Sequence, residues 1–95
     1  MKVLMNRGRY EIISQILKTP NGGEDKGGVT QTTIMYEVYL SHNQSKEYLM
    51  LLIESDLLRY DSTMHTFKTT EKGLRFLQAY NQIDQILEEE EQQQI

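Results

Sequence analysis

The side chains best suited to chemistry in this sequence open the stretch LSHNQSKEYLMLL, Leu40 to Leu52. Asn43 and Gln44 carry amides that can pair with two edge atoms of adenine at once, and Lys46 can reach guanine or a phosphate. Ser41 and His42 add donors, and Glu47 can accept from the exocyclic amine of cytosine or simply stand in solvent. Further groups of the same kind are Arg59, His65 and Lys68, then Thr30, Gln31 and Thr32, then Arg7 and Arg9, which with Lys2 make the N-terminus basic. Any exposed helix start is polar, so residue types alone leave the role of this cluster open. The elements that hold these residues must decide it.

Other chemistry has no support in the residues. There is no cysteine, so neither a disulfide nor a thiolate metal site can form. His42 and His65 have no metal-ligand spacing and no HExxH pattern occurs, so no metal and no cofactor is expected. No serine sits in a nucleophile elbow, and GGEDKGG lacks the spacing of a phosphate-cradling loop. The sequence predicts no enzyme, and no signature of a small-molecule pocket stands out.

The apolar residues Tyr10, Ile12, Ile13, Ile16 and Leu17 fall at helical spacing, which predicts a first helix from Arg9 to Lys18. Thr19-Pro20-Asn21-Gly22-Gly23 is expected to stop it, opening a polar loop over 20–28. Thr30 is placed to cap a second helix, Gln31 to about Tyr39, with Ile34, Met35, Val38 and Tyr39 apolar. Ser41 is placed to cap a third, ending near Ser55, with Tyr48, Leu49, Leu52 and Ile53 toward the core and Met50 and Leu51 on or beside the outer face. Asp56 follows it, an aspartate that tolerates the left-handed conformation common at helix ends. Leu57 to Tyr60 and His65 to Thr69 then read as two short strands around Asp61-Ser62-Thr63, and Thr70 caps a long last helix from Glu71 to about Glu91.

This order defines a mainly α fold with a small β-hairpin (α+β): a winged helix-turn-helix with a long C-terminal helix. Residues 1–70 form the winged unit and 71–95 the C-terminal dimerisation helix with its acidic tail, together one compact unit. In such a fold the third helix enters the major groove by its N-terminal residues, and the hairpin, or wing, lies along the backbone. Along the last helix Phe76, Tyr80, Ile83 and Leu87 step as a heptad seam, and Ile86 lies beside it. Beyond Tyr80 so small a domain offers nothing to cover these aliphatics, which predicts a homodimer.

The composition bounds the setting. The formal net charge is -4, but without Glu88 to Glu91 ten acids stand against ten bases, so the body is neutral and the tail acidic. Exposed charges are largely screened beyond about 10 Å at moderate salt, so the tail does not forbid a phosphate partner elsewhere. No apolar run is long enough to span a bilayer, and the start MKVLMNRGRYEII has neither a continuous apolar segment nor a small-residue cleavage site. A soluble cytoplasmic protein with no membrane partner is expected.

RYEIISQIL, TQTTIMYEVYLSHNQSKEYLMLLIESDLL and YDSTMHTFKTTEKGLRFLQAY together resemble the small archaeal winged-helix DNA-binding proteins, whose relatives include the ten-kilodalton chromatin-associated proteins of Sulfolobus. The resemblance runs from Arg7 to Leu87 and is carried by the leucine-serine start of the third helix, its YL…L spacing, and TTEKGLRFL. It implies double-stranded DNA as partner, a nucleoid-associated place in the cell, and a dimer joined by an antiparallel coiled coil of last helices. The chain departs from the pattern in its enlarged 20–28 loop, in Ser45 where relatives carry a larger apolar residue, and in a less basic surface. The near-neutral body favours a transcription regulator over a chromatin architectural protein. A winged-helix protein-interaction module without nucleic acid is the rival from another class.

Overall fold

The computed structural model describes residues 7–21 and 28–93; Lys2 and most of the 20–28 loop lie outside them. The elements are α1 (Arg9–Asn21), α2 (Gln31–Val38), α3 (His42–Glu54), β1 (Leu58–Asp61), β2 (Thr66–Thr69) and α4 (Glu71–Gln93). The expected order holds, with differences at the ends that have physical causes.

α1 runs through Pro20 instead of stopping at Lys18. Pro20 forgoes only the one bond its missing N–H would give to the Ile16 carbonyl, with no further turn of the helix after it to disrupt, and the Thr19 hydroxyl donates to the Gln15 carbonyl at 3.0 Å. Thr30 caps α2, its hydroxyl accepting from the Thr33 N–H. α2 ends one residue early because Tyr39 turns left-handed (φ 61, ψ 52), which throws its ring into solvent rather than into the core. Ser41 and Gln44 then close a reciprocal capping box on α3: the Gln44 N–H donates to Ser41 Oγ at 3.1 Å, and the Ser41 N–H to Gln44 Oε1 at 3.0 Å. Asp56 is left-handed as expected (φ 63).

β1 and β2 pair antiparallel, Leu58 opposite Thr69 and Asp61 opposite Thr66, so Asp61 belongs to the strand and the turn is 62–65. The Asp61 carboxylate accepts from the N–H groups of Thr63 (2.9 Å) and Met64 (3.2 Å), and His65 closes the turn at φ 56. Val29 bridges the free edge of β2 through both backbone bonds with Phe67. Gly28, at φ 87, lies so close that an added Cβ would stand 2.5 Å from the Phe67 carbonyl oxygen.

The core joins Ile13, Ile16 and Leu17 of α1 to Ile34 and Val38, Leu40, Leu49 and Leu52, Leu58 and Phe67, and Leu77 of α4. Two expected core residues are outside it. Tyr10 is exposed, its ring 6.4 Å from that of Phe76, and Ile53 is 39% exposed, while Leu51 packs against the core instead. The Thr70 hydroxyl holds the last helix in place, donating to the Asp56 carbonyl at 2.6 Å and accepting from the Gly73 N–H at 3.0 Å. Beyond Tyr80, Ile83 (57%), Ile86 (57%) and Leu87 (53%) stand exposed.

Candidate nucleic-acid interface

Ser45, Leu49 and Leu52 are buried, which fixes the rotation of α3. The opposite stripe is then His42, Asn43, Lys46, Glu47 and Met50, at spacings that share one helical face. All five are exposed, and their side chains make no hydrogen bond or ion pair among the described residues. This face presents two ring nitrogens, an amide, an ammonium and a carboxylate outward, with one methionine at its far edge.

Two neighbours expected to join this face are engaged elsewhere. Ser41 and Gln44 hold each other in the capping box, so the Gln44 amide oxygen already accepts a backbone bond. Gln31 is tied inward too: its Nε2 donates to Ser45 Oγ at 2.9 Å, and that hydroxyl donates to the His42 carbonyl at 2.8 Å. Ser45, fully buried, is therefore a polar staple between α2 and α3. Thr30 and Thr32 remain exposed at the start of α2, where the Thr30 hydroxyl already caps the Thr33 N–H.

The basic residues divide in the same way. The Arg7 guanidinium donates to Gln15 Oε1 (2.6 Å), the Val38 carbonyl (2.7 Å) and the Tyr39 carbonyl (3.4 Å). α2 has no basic residue in its last turn, and Arg7 supplies that positive charge from outside the helix. Arg9 is exposed at the start of α1, edging a shallow depression shared with Glu47, Tyr48 and Leu51. Arg59 and Lys68 are direct cross-strand partners on the hairpin, both exposed and unpartnered among the described residues. Like charges placed opposite each other repel, so an anion beside this pair would relieve the repulsion.

Strand alternation sets Tyr60 and Phe67 on the hairpin face toward α3, and Arg59 and Lys68 on the other. The structure thus brings Gln31, Lys46 and His65 together, around a groove of about 600 Å³ between α3 and the hairpin, and leaves Arg59 and Lys68 on the far side of the wing. His65 is held there by a 2.9 Å hydrogen bond between its Nδ1 and the Tyr60 hydroxyl. Met50, Ile53 and Tyr60 also line this groove over Leu49 and Phe67. Sequence reasoning missed Ile53 because the apolar stripe of α3 is wider than its core face. The exposure of Met50, expected from the spacing, was the available signal.

Among the described residues no three His, Cys, Asp or Glu side chains gather to hold a metal ion, and no helix is long and apolar enough to cross a membrane.

A recognition-type helix set in a helix-turn-helix and followed by a two-stranded wing defines the winged helix-turn-helix class. The sequence profile of the winged helix-turn-helix family matches residues 6–88, and the chain belongs to that family. The fold is similar to that of Sso10a-2, described as a DNA-binding protein from Sulfolobus solfataricus, with a TM-score of 0.74 and 20% identity over 93% of this chain and 90% of that one. This agrees with the resemblance carried by the sequence motifs. A mutant of MepR from S. aureus is similar at TM-score 0.74 and 15% identity, over 97% of this chain and 69% of that one. No curated protein matches the sequence significantly.

Proposed function

We propose that the protein binds double-stranded DNA as a homodimer and acts as a transcription regulator. The observation that carries this reading is the outer stripe of α3, where His42, Asn43, Lys46 and Glu47 stand exposed and unpartnered while the residues between them anchor the helix. The stripe reads bases in the major groove, with Asn43 and Lys46 as the leading contacts to adenine and guanine edges. Arg59 and Lys68 on the wing, the first turn of α2 at Thr30 and Thr32, and Arg9 contact phosphate. Ser41 and Gln44 hold α3 at the angle that presents the stripe, and Arg7 holds α2. The dimer forms through Phe76, Tyr80, Ile83, Ile86 and Leu87 of α4, whose outer turns expose aliphatics that the domain leaves uncovered. Such a protein works in the cytoplasm, on the nucleoid.

The test is fluorescence anisotropy with a labelled duplex, against random-sequence competitor, at two salt concentrations. A regulator binds selected sites more tightly than random duplex, and its affinity falls with salt at a slope near −0.9 for each phosphate contact. Equal affinity for all duplexes supports an architectural role instead. No binding at low salt leaves the interaction-module reading.

A further inference from the structure

The wall of the groove between α3 and the hairpin is mainly apolar. Met50 (54% exposed) and Ile53 line one side; Tyr60 and Phe67, with ring centroids 4.9 Å apart, line the other. The Tyr60 to His65 hydrogen bond fixes the hairpin wall. The volume of about 600 Å³ falls within the range of small-molecule sites. Among the described residues no acid lines it, and the single ammonium at its rim, Lys46, has no partner.

We propose that this groove binds a small aromatic carboxylate, its ring between Ile53 and the Tyr60–Phe67 wall and its carboxylate on Lys46 Nζ. Charge decides between ligand classes here. A cationic amphiphile would meet Lys46 with no lining acid to receive it, and a neutral one would leave Lys46 to water and gain nothing from it. An acid satisfies both the wall and the rim. Binding of this kind needs no DNA, so it stands apart from the reading above. If that reading holds, the acid also occupies a base-contacting lysine and competes with the duplex.

The experiment is titration of the full chain with 2-naphthoate and, separately, with 2-naphthol, followed by two-dimensional amide NMR in the absence of DNA. The expected result is saturable shifts at Gln31, Lys46, Met50, Ile53, Tyr60 and His65, with the carboxylate binding more tightly. Lys46→Gln should weaken 2-naphthoate about fivefold and leave 2-naphthol unchanged, the effect of one partly solvated ion pair. Ile53→Gln, at a partly exposed position, should weaken both. Equal affinity for the two probes, shifts centred on Ile83 to Leu87 of α4, or no saturable binding would each overturn the proposal.

Discussion

At Ser41 and Gln44, polar side chains at a helix start are engaged by backbone before any ligand arrives, whereas Asn43 and Lys46, beside them, are free. This difference separates stability from recognition residue by residue. Ser41→Ala should lower unfolding free energy by about 1 kcal/mol, read as the urea midpoint. Asn43→Ala and Lys46→Ala should leave that midpoint in place and weaken duplex binding about tenfold each, the loss of one good base contact. A matched fall in stability and binding for all three would remove the distinction. The capping role of Ser41 was legible in the sequence, because Ser followed by Gln three residues on before an apolar run is a local pattern. That Gln44 therefore cannot also read a base freely was not, since its amide looks equally available on paper. Ile53 was misplaced for a similar reason: Leu51 and Ile53 are both apolar, and only the packing of α1 and the hairpin decides which of them the core takes.

Between elements, contacts made by backbone carry what the sequence hides. Gly73 lies in the first turn of α4 where an added Cβ would overlap the Leu57 carbonyl oxygen and stand 2.6 Å from Thr69 Cγ2. Alanine improves helix propensity by about 1 kcal/mol, but forcing a methyl against a carbonyl fixed in the chain costs about 1–3 kcal/mol or more. The overlap should win, so Gly73→Ala is expected to destabilise, visible as a lower midpoint in urea; a more stable variant would show that α4 can shift away from the hairpin at no cost. Arg7 poses the parallel question for α2. Two of its three hydrogen bonds reach the backbone carbonyls of Val38 and Tyr39, far along the chain, which no local pattern predicts, and the basic N-terminus reads as a phosphate arm instead. Arg7→Ala should cost about 1–2 kcal/mol of stability and leave the salt slope of duplex binding unchanged, whereas Lys68→Ala should reduce that slope by about one contact with stability intact.

For the whole molecule the question is what covers the far end of α4. The longest dimension is 52 Å against 26 and 25 Å across, and an extended helix accounts for the excess. Heptad spacing predicts an interface at this end, because among the described residues nothing of the domain covers Ile83, Ile86 and Leu87; the orientation of such a partner would be set by contacts a single chain does not contain. Phe76 and Tyr80, stacked at 6.3 Å, continue the seam back toward Tyr10, so the domain would itself support an interface that is too short to hold alone. If α4 pairs two copies, folding and association are linked, and the thermal midpoint of the full chain should rise with protein concentration. A chain ending after Tyr80 should sediment as a monomer and lose that dependence, while keeping the circular dichroism expected of the three helices and two strands before α4. Its duplex affinity should fall far more than Lys46→Ala alone lowers it, because one α3 per molecule cannot engage two half-sites together. An unchanged dimer after truncation would place the interface elsewhere, and a monomer with undiminished affinity would show that one winged unit is the whole binding machine.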